Sequence, residues 1–212
     1  MKKVLWFSLF LIIAEVIAGI ILYNHLPEQV PIHWDAAGNI NGYGGRMSIF
    51  LAPSISAAIT LLLYFMPQIT PKGENALKSG KAYPAVVVLV NLLMAMIMVI
   101  TAIVALGGKV DINVVIPFAV GILMIGIGNY LPKIKQNYIF GIRLPWTLDN
   151  EEVWVKTHRL GGYVFLIIGV LFILGSFLSA PVNYIIPLVG LVVGLIAIGY
   201  YSWSIYNKLE KK

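Results

Sequence analysis

The residue types that could bind a ligand or do chemistry lie in two polar segments, and the first of these, residues 24–47, contains His33 and Asp35. An imidazole and a carboxylate two positions apart could serve as acid and base, or bind a metal ion together with His25, but a metal site needs three or four convergent ligands. Tyr43 and Arg46 follow in the same segment. Local pairing of Asp35 with Arg46 is the structural interpretation, and recognition of a ligand or peptide is the functional one.

Proline and glycine spacing predicts that this first segment is folded. Pro27 and Pro31 favour extended backbone. An Asn-Gly pair and a Gly-Gly pair within residues 39–45 are typical of tight turns. We therefore expect a structured loop with at least one sharp reversal, such as a small hairpin, with Trp34 and Tyr43 at the level of the lipid headgroups.

The second polar segment, residues 132–161, has the most specific sequence of the chain. Its charged, aromatic and hydroxyl side chains include Arg143, Trp146, Thr147, Trp154, His158 and Arg159. Arginines clustered with tryptophans in this way could bind a lipid headgroup or a partner protein. These six residues are the candidate binding site on this side of the protein.

Helix-capping residues predict a short helix inside the second segment. Pro145 prevents a helix from running through Leu144. Asp149 and Glu152 have the spacing of a capping box, and Glu152 and Lys156 are one helical turn apart and could pair.

We expect this short helix to be amphipathic and to lie on the membrane surface. Trp146 and Trp154 would lie in the membrane interface, and Gly161 and Gly162 would let the chain turn into the next span.

Composition predicts the fold class. Of 212 residues, 59% are hydrophobic and 11% charged, whereas a soluble domain has roughly 25% charged residues. Six apolar runs reach the roughly 20 residues that a crossing needs: 4–23, 48–69, 83–106, 112–131, 162–178 and 182–206. The chain is therefore expected to be an all-α integral membrane protein, a single domain over residues 1–212 with six transmembrane helices.

The distribution of basic residues predicts the orientation. All but two of the 15 Lys and Arg, namely Arg46 and Lys109, fall on one side if the spans alternate. The positive-inside rule then puts both termini and residues 132–161 in the cytoplasm, with residues 24–47 outside. The same clustering between spans argues against nucleic-acid binding as the reason for the net charge of +6.

Glu15 is the only acidic residue within a predicted span. A charged side chain at the centre of a membrane helix costs about 2.5–3.5 kcal/mol on insertion scales, so it usually faces the bundle interior and has a partner. Asn91 and Thr101, in the third predicted span, are the polar residues nearest in kind that could partner it. A proton or substrate path and a structural hydrogen bond are both open interpretations.

Recognised catalytic motifs are not found in the sequence. There is no GxSxG, HExxH, phosphate-binding loop or dinucleotide-binding pattern, and the absence of cysteine excludes disulfides and thiol catalysis. We therefore expect no enzyme, no catalytic residues, no cofactor and no metal.

The second segment resembles the signature of the SdpI family of bacterial membrane immunity proteins. Matching residues are Asn129, Pro132, Asn137, Gly141, Arg143, Pro145, Trp146, Thr147, Trp154, His158 and Arg159. The first segment is similar to a companion segment of many members, through Pro31, His33, Gly38, Gly42, Tyr43, Gly44 and Arg46. Leu144 departs from the pattern, where Thr is expected in many members.

This resemblance implies a multi-pass bacterial cell-membrane protein that protects against a secreted, membrane-active peptide toxin. It also implies possible signalling, in which a cytoplasmic repressor is held at the membrane. We expect His33, Asp35, Tyr43 and Arg46 to face the toxin, and the second segment to meet the repressor or membrane lipids. The alternatives are a small-solute or proton-coupled transporter or channel that uses Glu15, and an enzyme that uses His33 and Asp35.

Overall fold

A computed structural model describes residues 2–35 and 37–210, and over these residues the chain forms eight α-helices and one two-stranded sheet. The helices are α1 Lys2–Leu22, α2 Leu51–Ile69, α3 Gly73–Leu77, α4 Ala82–Ala105, α5 Ile112–Tyr130, α6 Pro145–Asp149, α7 Glu151–Gly175 and α8 Val182–Glu210. Strands β1 Val30–Trp34 and β2 Ile40–Gly44 pair antiparallel. Short 3-10 helices precede α2 and follow α5, at Arg46–Phe50 and Leu131–Lys133.

Six helices in the described part of the chain are long and apolar enough to cross a membrane: α1, α2, α4, α5, α7 and α8. The predicted fold class, all-α and multi-pass, is therefore confirmed. The sheet lies between α1 and α2, at what we call the hairpin end of the bundle. The 3-10 helix after α5, together with α3 and α6, lies at the opposite end, which we call the motif end.

The fifth span differs from the prediction. The chain does not turn at Gly161 and Gly162, because α7 is one continuous helix from Glu151 to Gly175. Both glycines are buried; a Cβ on Gly161 would come 2.4 Å from the Ile142 side chain. The expected separate amphipathic helix is thus the first part of the span itself, and the short helix that does precede the span is α6.

The N-terminal cap of this helix is also one residue later than predicted. Asn150, not Asp149, accepts hydrogen bonds from the backbone N–H groups of Glu152 and Val153. Asp149 ends α6 and accepts a hydrogen bond of 2.9 Å from the Tyr206 hydroxyl. The predicted pair of Glu152 and Lys156 is present at 2.6 Å.

Helices α5 and α7 pack with their backbones in contact at two pairs of glycines. A Cβ on Gly121 would lie 2.6 Å from the Gly169 carbonyl oxygen, and a Cβ on Gly169 would lie 2.7 Å from the Gly121 oxygen. Seven residues along each helix, Gly128 and Gly162 make the same reciprocal approach at 2.9 Å. Small residues allow such close contact in membranes, where van der Waals packing drives helix association.

Gly190 and Gly194 on α8 serve the same purpose within the chain. A Cβ on Gly194 would lie 2.5 Å from Val164 of α7, and one on Gly190 would lie 3.1 Å from Leu171. Their spacing therefore positions α8 on α7.

The other half of the bundle, α1, α2 and α4, has polar side chains in its interior. Glu15 is 7% exposed, and neither of its carboxyl oxygens has a hydrogen-bond partner among the described residues. The expected partner Asn91 instead bonds Thr60 and the Val87 carbonyl. The predicted pairing of Glu15 with Asn91 is therefore wrong, and no bond to Thr101 is present either.

The orientation of the bundle remains a prediction that cysteine labelling can test, because the native chain has no cysteine. Glu28 at the hairpin end and Glu151 at the motif end are both exposed acidic residues. We expect a membrane-impermeant maleimide to label Glu28→Cys in intact cells, and to label Glu151→Cys only after the cells are opened. The reverse pattern would overturn the positive-inside assignment.

Candidate functional site

The hairpin at one end of the bundle is folded against the helices. Its register places Val30 opposite Gly44 and Trp34 opposite Ile40, with an irregularity around His33. Val30 is fully buried and belongs to a core cluster with Ile49 and Met98. The expected sharp reversal is therefore confirmed, and hydrophobic burial holds the hairpin against α4 and against the 3-10 helix that precedes α2.

Asp35 organises the turn between the strands. Its carboxylate accepts hydrogen bonds from the backbone N–H groups of Ala37 and Asn39 and from the Asn39 side chain, at 2.8 to 3.3 Å. The backbone N–H of Asn39 is the main reason that the pKa of Asp35 lies below its ordinary value. Asp35 makes no ion pair with Arg46, so the expected local pair is absent.

The turn is also connected to the ends of α5 and α8. The Asn113 side chain on α5 donates to the Ala37 carbonyl at 2.8 Å, and Asn183 on α8 donates to the Asn113 carbonyl at 3.1 Å. Gly38 has φ +80°, and a Cβ there would lie 2.6 Å from the Asn113 amide nitrogen. The backbone conformation therefore favours glycine at this position, and an added Cβ would also displace the Asn113 side chain from its bond to the turn.

The remaining predicted residues of the hairpin differ in accessibility. His33 is exposed and its ring nitrogen Nδ1 pairs with the Asn41 side chain, and Tyr43 is 52% exposed. Arg46 is half-buried, and its Nε has no hydrogen-bond partner in residues 2–35 and 37–210. His33 and Tyr43 are thus the side chains that this hairpin presents to a binding partner.

At the motif end, His158 and Trp154 form a buried aromatic pair one turn apart on α7. Both are fully buried, and their ring centroids are 4.0 Å apart. His158 Nε2 accepts the backbone N–H of Ile142 at 3.0 Å, which leaves Nδ1 as the donor to the Trp154 carbonyl at 2.9 Å. These bonds assign a neutral imidazole that positions residues 141–142 against α7.

Gly141 is the residue that allows this contact. Its φ is +112°, and a Cβ would lie 2.5 Å from His158 Nε2 and 3.2 Å from the Trp154 ring. On the other side of the pair, the Trp154 indole N–H donates to the Ile134 carbonyl at 2.7 Å. The two aromatic residues therefore hold both arms of the loop between α5 and α6.

Other buried polar side chains of this loop satisfy its own backbone. Thr147 is fully buried; its hydroxyl accepts the Leu144 N–H and donates to the Ile142 carbonyl, both at 2.8 Å. Asn137 is also fully buried and accepts the N–H groups of Ile139 and Phe140. Backbone groups that are buried in an irregular loop need such partners.

Sequence reasoning missed the partner segment of this loop, residues 70–81, which connects α2 and α4. Lys72 donates to the Gln136 side chain at 2.6 Å, and Asn75 donates to the Gln136 carbonyl at 2.9 Å. The Ser79 hydroxyl accepts the Lys135 N–H. The polar residues at positions 72, 75 and 79 recur at helical spacing, which was the one available signal.

The predicted binding residues of the motif end therefore separate into two groups. Thr147, Trp154 and His158 have no exposed surface and hold the loop together. Arg143 and Arg159 are exposed, with Arg143 also donating to the Tyr138 carbonyl. Trp146 is half-buried, and its indole donates to Ser202 of α8 at 2.7 Å instead of lying free in the interface.

Neither end assembles a cluster suited to metal binding or acid–base catalysis in the part of the chain that the structure describes. His33 bonds Asn41 while Asp35 bonds the turn, so the two are not partners of each other. No group of three or more His, Asp or Glu side chains converges within these residues.

Comparison with known proteins matches both ends of the molecule. Residues 133–203 match the model of the SdpI/YfhL protein family, and residues 10–57 match that of a domain of unknown function (DUF1648). The protein named Immunity protein SdpI, from Bacillus subtilis (strain 168), is 28% identical over 207 residues, which cover 96% of each chain. The predicted resemblance to the SdpI family is confirmed. No solved structure matches.

The SdpI-family segment contains most of the motif loop, α6, α7 and most of α8, and the companion segment contains the hairpin. Both structured ends of the bundle thus lie in the regions that the family models describe. Together with the six apolar helices, the similarity to Immunity protein SdpI identifies this chain as a multi-pass protein of the cell membrane.

The bonds of His158 predict a structural role that mutation can separate from binding. His158→Phe keeps a stacking ring but removes the acceptor of the Ile142 N–H, and a buried donor left unpaired costs about 1–3 kcal/mol. We expect the midpoint of thermal unfolding in lipid nanodiscs to fall by several degrees. Arg159→Ala, which changes the neighbouring exposed residue, should leave it unchanged.

If His158→Phe and wild type unfold at the same temperature, the imidazole does not hold the loop. The structural role assigned to this histidine would then be rejected.

Proposed function

We propose that this protein gives a cell resistance to a secreted, membrane-active peptide toxin, with the hairpin end recognising the toxin. Similarity along 96% of the chain to a protein named as an immunity protein supports this function. The observation that carries the site assignment is that the hairpin is folded and fixed to the helices, yet leaves His33 and Tyr43 exposed. A recognition surface held in one geometry loses little entropy on binding.

Within this site the four predicted residues have different tasks. His33 and Tyr43 contact the peptide, and Asp35 maintains the turn through its bonds to Ala37 and Asn39. A Cβ on Gly42 would lie 2.9 Å from the His33 Cβ, so the glycine leaves space for the histidine. Arg46 is half-buried in the 3-10 helix that follows the hairpin, and its positive charge favours an acidic or carbonyl group of the toxin.

The motif end is the proposed site of a cytoplasmic partner, such as a transcriptional repressor, or of lipid headgroups. Arg143 and Arg159 are exposed there and can bind anionic groups. The buried residues Thr147, Trp154 and His158 hold the backbone of the loop next to these arginines. Toxin binding at the hairpin would signal to this end if it favoured one of two packings of the helices.

One observation favours a second candidate function, a small-solute or proton-coupled transporter. The Glu15 carboxyl is buried among α1, α2 and α4 with no partner in the described residues, as are the hydroxyls of Ser8 and Ser56. Ionisable groups in such positions often mark ion or proton paths. On this alternative, Glu15→Gln abolishes the transport activity and changes in the hairpin have mild effects.

A killing assay tests the proposed function. The chain is expressed in a sensitive bacterium and the cells are titrated with a panel of membrane-active peptides. We expect at least one peptide to need a several-fold higher concentration to kill the expressing cells. We expect His33→Ala combined with Tyr43→Ala to remove most of this protection, because these are the exposed contacts of the hairpin.

Glu28→Ala is the matched control, since Glu28 is exposed in the same segment but lies outside both strands. Membrane levels of each variant are compared by immunoblot. Unchanged survival against every peptide would overturn the immunity function. Full protection by the double variant would place recognition away from the hairpin.

A further inference from the structure

A cleft of about 400 Å³ lies between the hairpin and the neighbouring ends of α4, α5 and α8. This volume is within the range of small-molecule and side-chain binding sites. Its walls are mostly apolar, and its principal lining residues are Ile32, Trp34, Ile97, Ile116, Pro117 and Tyr184. An apolar pocket beside an exposed recognition hairpin is suited to an apolar side chain of a ligand.

Asn183, at the wall of the cleft, has an unused hydrogen-bond acceptor. It lines the cleft and is 1% exposed. Its amide nitrogen is committed to the Asn113 carbonyl, while its Oδ1 has no partner in the part of the chain that the structure describes. A buried carbonyl oxygen without a donor costs free energy, so a ligand that supplies an O–H or N–H there gains affinity.

The negative charge at the rim of the cleft also favours a ligand that donates a hydrogen bond. Asp35 lies at its rim, and the N–H groups of the turn, that of Asn39 first, hold the pKa of this carboxyl below its ordinary value. Asp35 is therefore ionised at neutral pH. No Lys or Arg is among the residues that line the cleft. An anionic ligand is disfavoured on electrostatic grounds.

We propose that this cleft binds an aromatic side chain of a peptide ligand, one that carries its own hydrogen-bond donor, as tyrosine and tryptophan do. The aromatic body packs against Trp34 and Ile116, and the hydroxyl or ring N–H donates to Asn183 Oδ1. Such side chains combine a large apolar surface with one polar group. This inference rests on the proposed function, because it names the part of the toxin that the hairpin end receives.

A lipid acyl chain is the competing occupant of an apolar cleft in a membrane protein. It would fill the walls but has no donor, so Asn183 Oδ1 would stay unpaired. The difference between the two occupants is thus a single hydrogen bond, which a pair of matched probes can detect.

The test uses the full chain in lipid nanodiscs with 5-fluorotryptophan at its five tryptophans. The fluorine resonance of Trp34 is assigned by comparison with Trp34→Phe, and the protein is titrated with N-acetyltyrosinamide and N-acetylphenylalaninamide. We expect saturable movement of the Trp34 resonance. The phenylalanine probe should bind about tenfold more weakly, because a site built to bond a hydroxyl discriminates against its absence.

Ile116→Phe narrows the cleft without removing a hydrogen bond, and it should abolish the saturable shift. Ile186→Phe is the control, since Ile186 is exposed on α8 and does not line the cleft. The other four tryptophans report partition of the probe into lipid. Folding of each variant is checked by its thermal midpoint.

Equal binding of the two probes would overturn the proposal, since the acceptor would then have no role. Movement of all tryptophan resonances together, without saturation, would also overturn it, because it would show partition into lipid only. Either failure with resistance intact in the killing assay would reject the cleft and keep the immunity function. If the wild-type chain gives no resistance to any peptide in the killing assay, the proposed immunity function itself is rejected.

Discussion

The reciprocal contacts between glycines of α5 and α7 are the constraint on which both structured ends depend. At Gly121 with Gly169 and at Gly128 with Gly162, the helix backbones approach so closely that no Cβ fits. The two helices are thereby fixed in one register along their length. A register shift would separate the glycine pairs and bring side chains into backbone contact.

Both structured ends of the molecule contact these two helices directly. The hairpin turn is held by Asn113, at the beginning of α5, and the same residue accepts a hydrogen bond from α8. The motif loop leaves the other end of α5 and is held by Trp154 and His158 of α7. A displacement of α5 caused by a ligand at the hairpin would therefore change the contact that α7 makes with the motif loop. This continuous route is the physical basis we propose for signalling across the membrane.

The spans could be predicted because a lipid bilayer requires long apolar helices, and such helices appear in the sequence as long runs of high hydropathy. The hairpin could be predicted because Pro31 and the turn residues limit the backbone locally. Local rules failed where packing decided the outcome. Gly161 and Gly162 were interpreted as a turn, but in the bundle they are helical contact points with Ile142 and Gly128.

The candidate sites show the same division. Tryptophan and histidine occur both in buried cores and in binding sites. The sequence alone therefore does not show that Trp154 and His158 are fully buried. Asp149 and Asn150 are both suitable caps, and the structure of α6 assigns the cap to Asn150. The contacts of Lys72 and Asn75 with Gln136 join residues more than sixty positions apart, which a single sequence does not reveal.

Hydrogen exchange of Gly121→Ala in nanodiscs, followed by mass spectrometry, tests the dependence of both ends on the α5–α7 contact most directly. The added Cβ would lie 2.6 Å from the Gly169 oxygen, whereas the control Gly199→Ala meets nothing within 4 Å. The account predicts faster exchange at residues 37–43 of the hairpin and at residues 131–140 of the motif loop, by roughly tenfold for each 1.4 kcal/mol of lost local stability. Faster exchange confined to α5 and α7, with both ends as protected as in wild type, would contradict it.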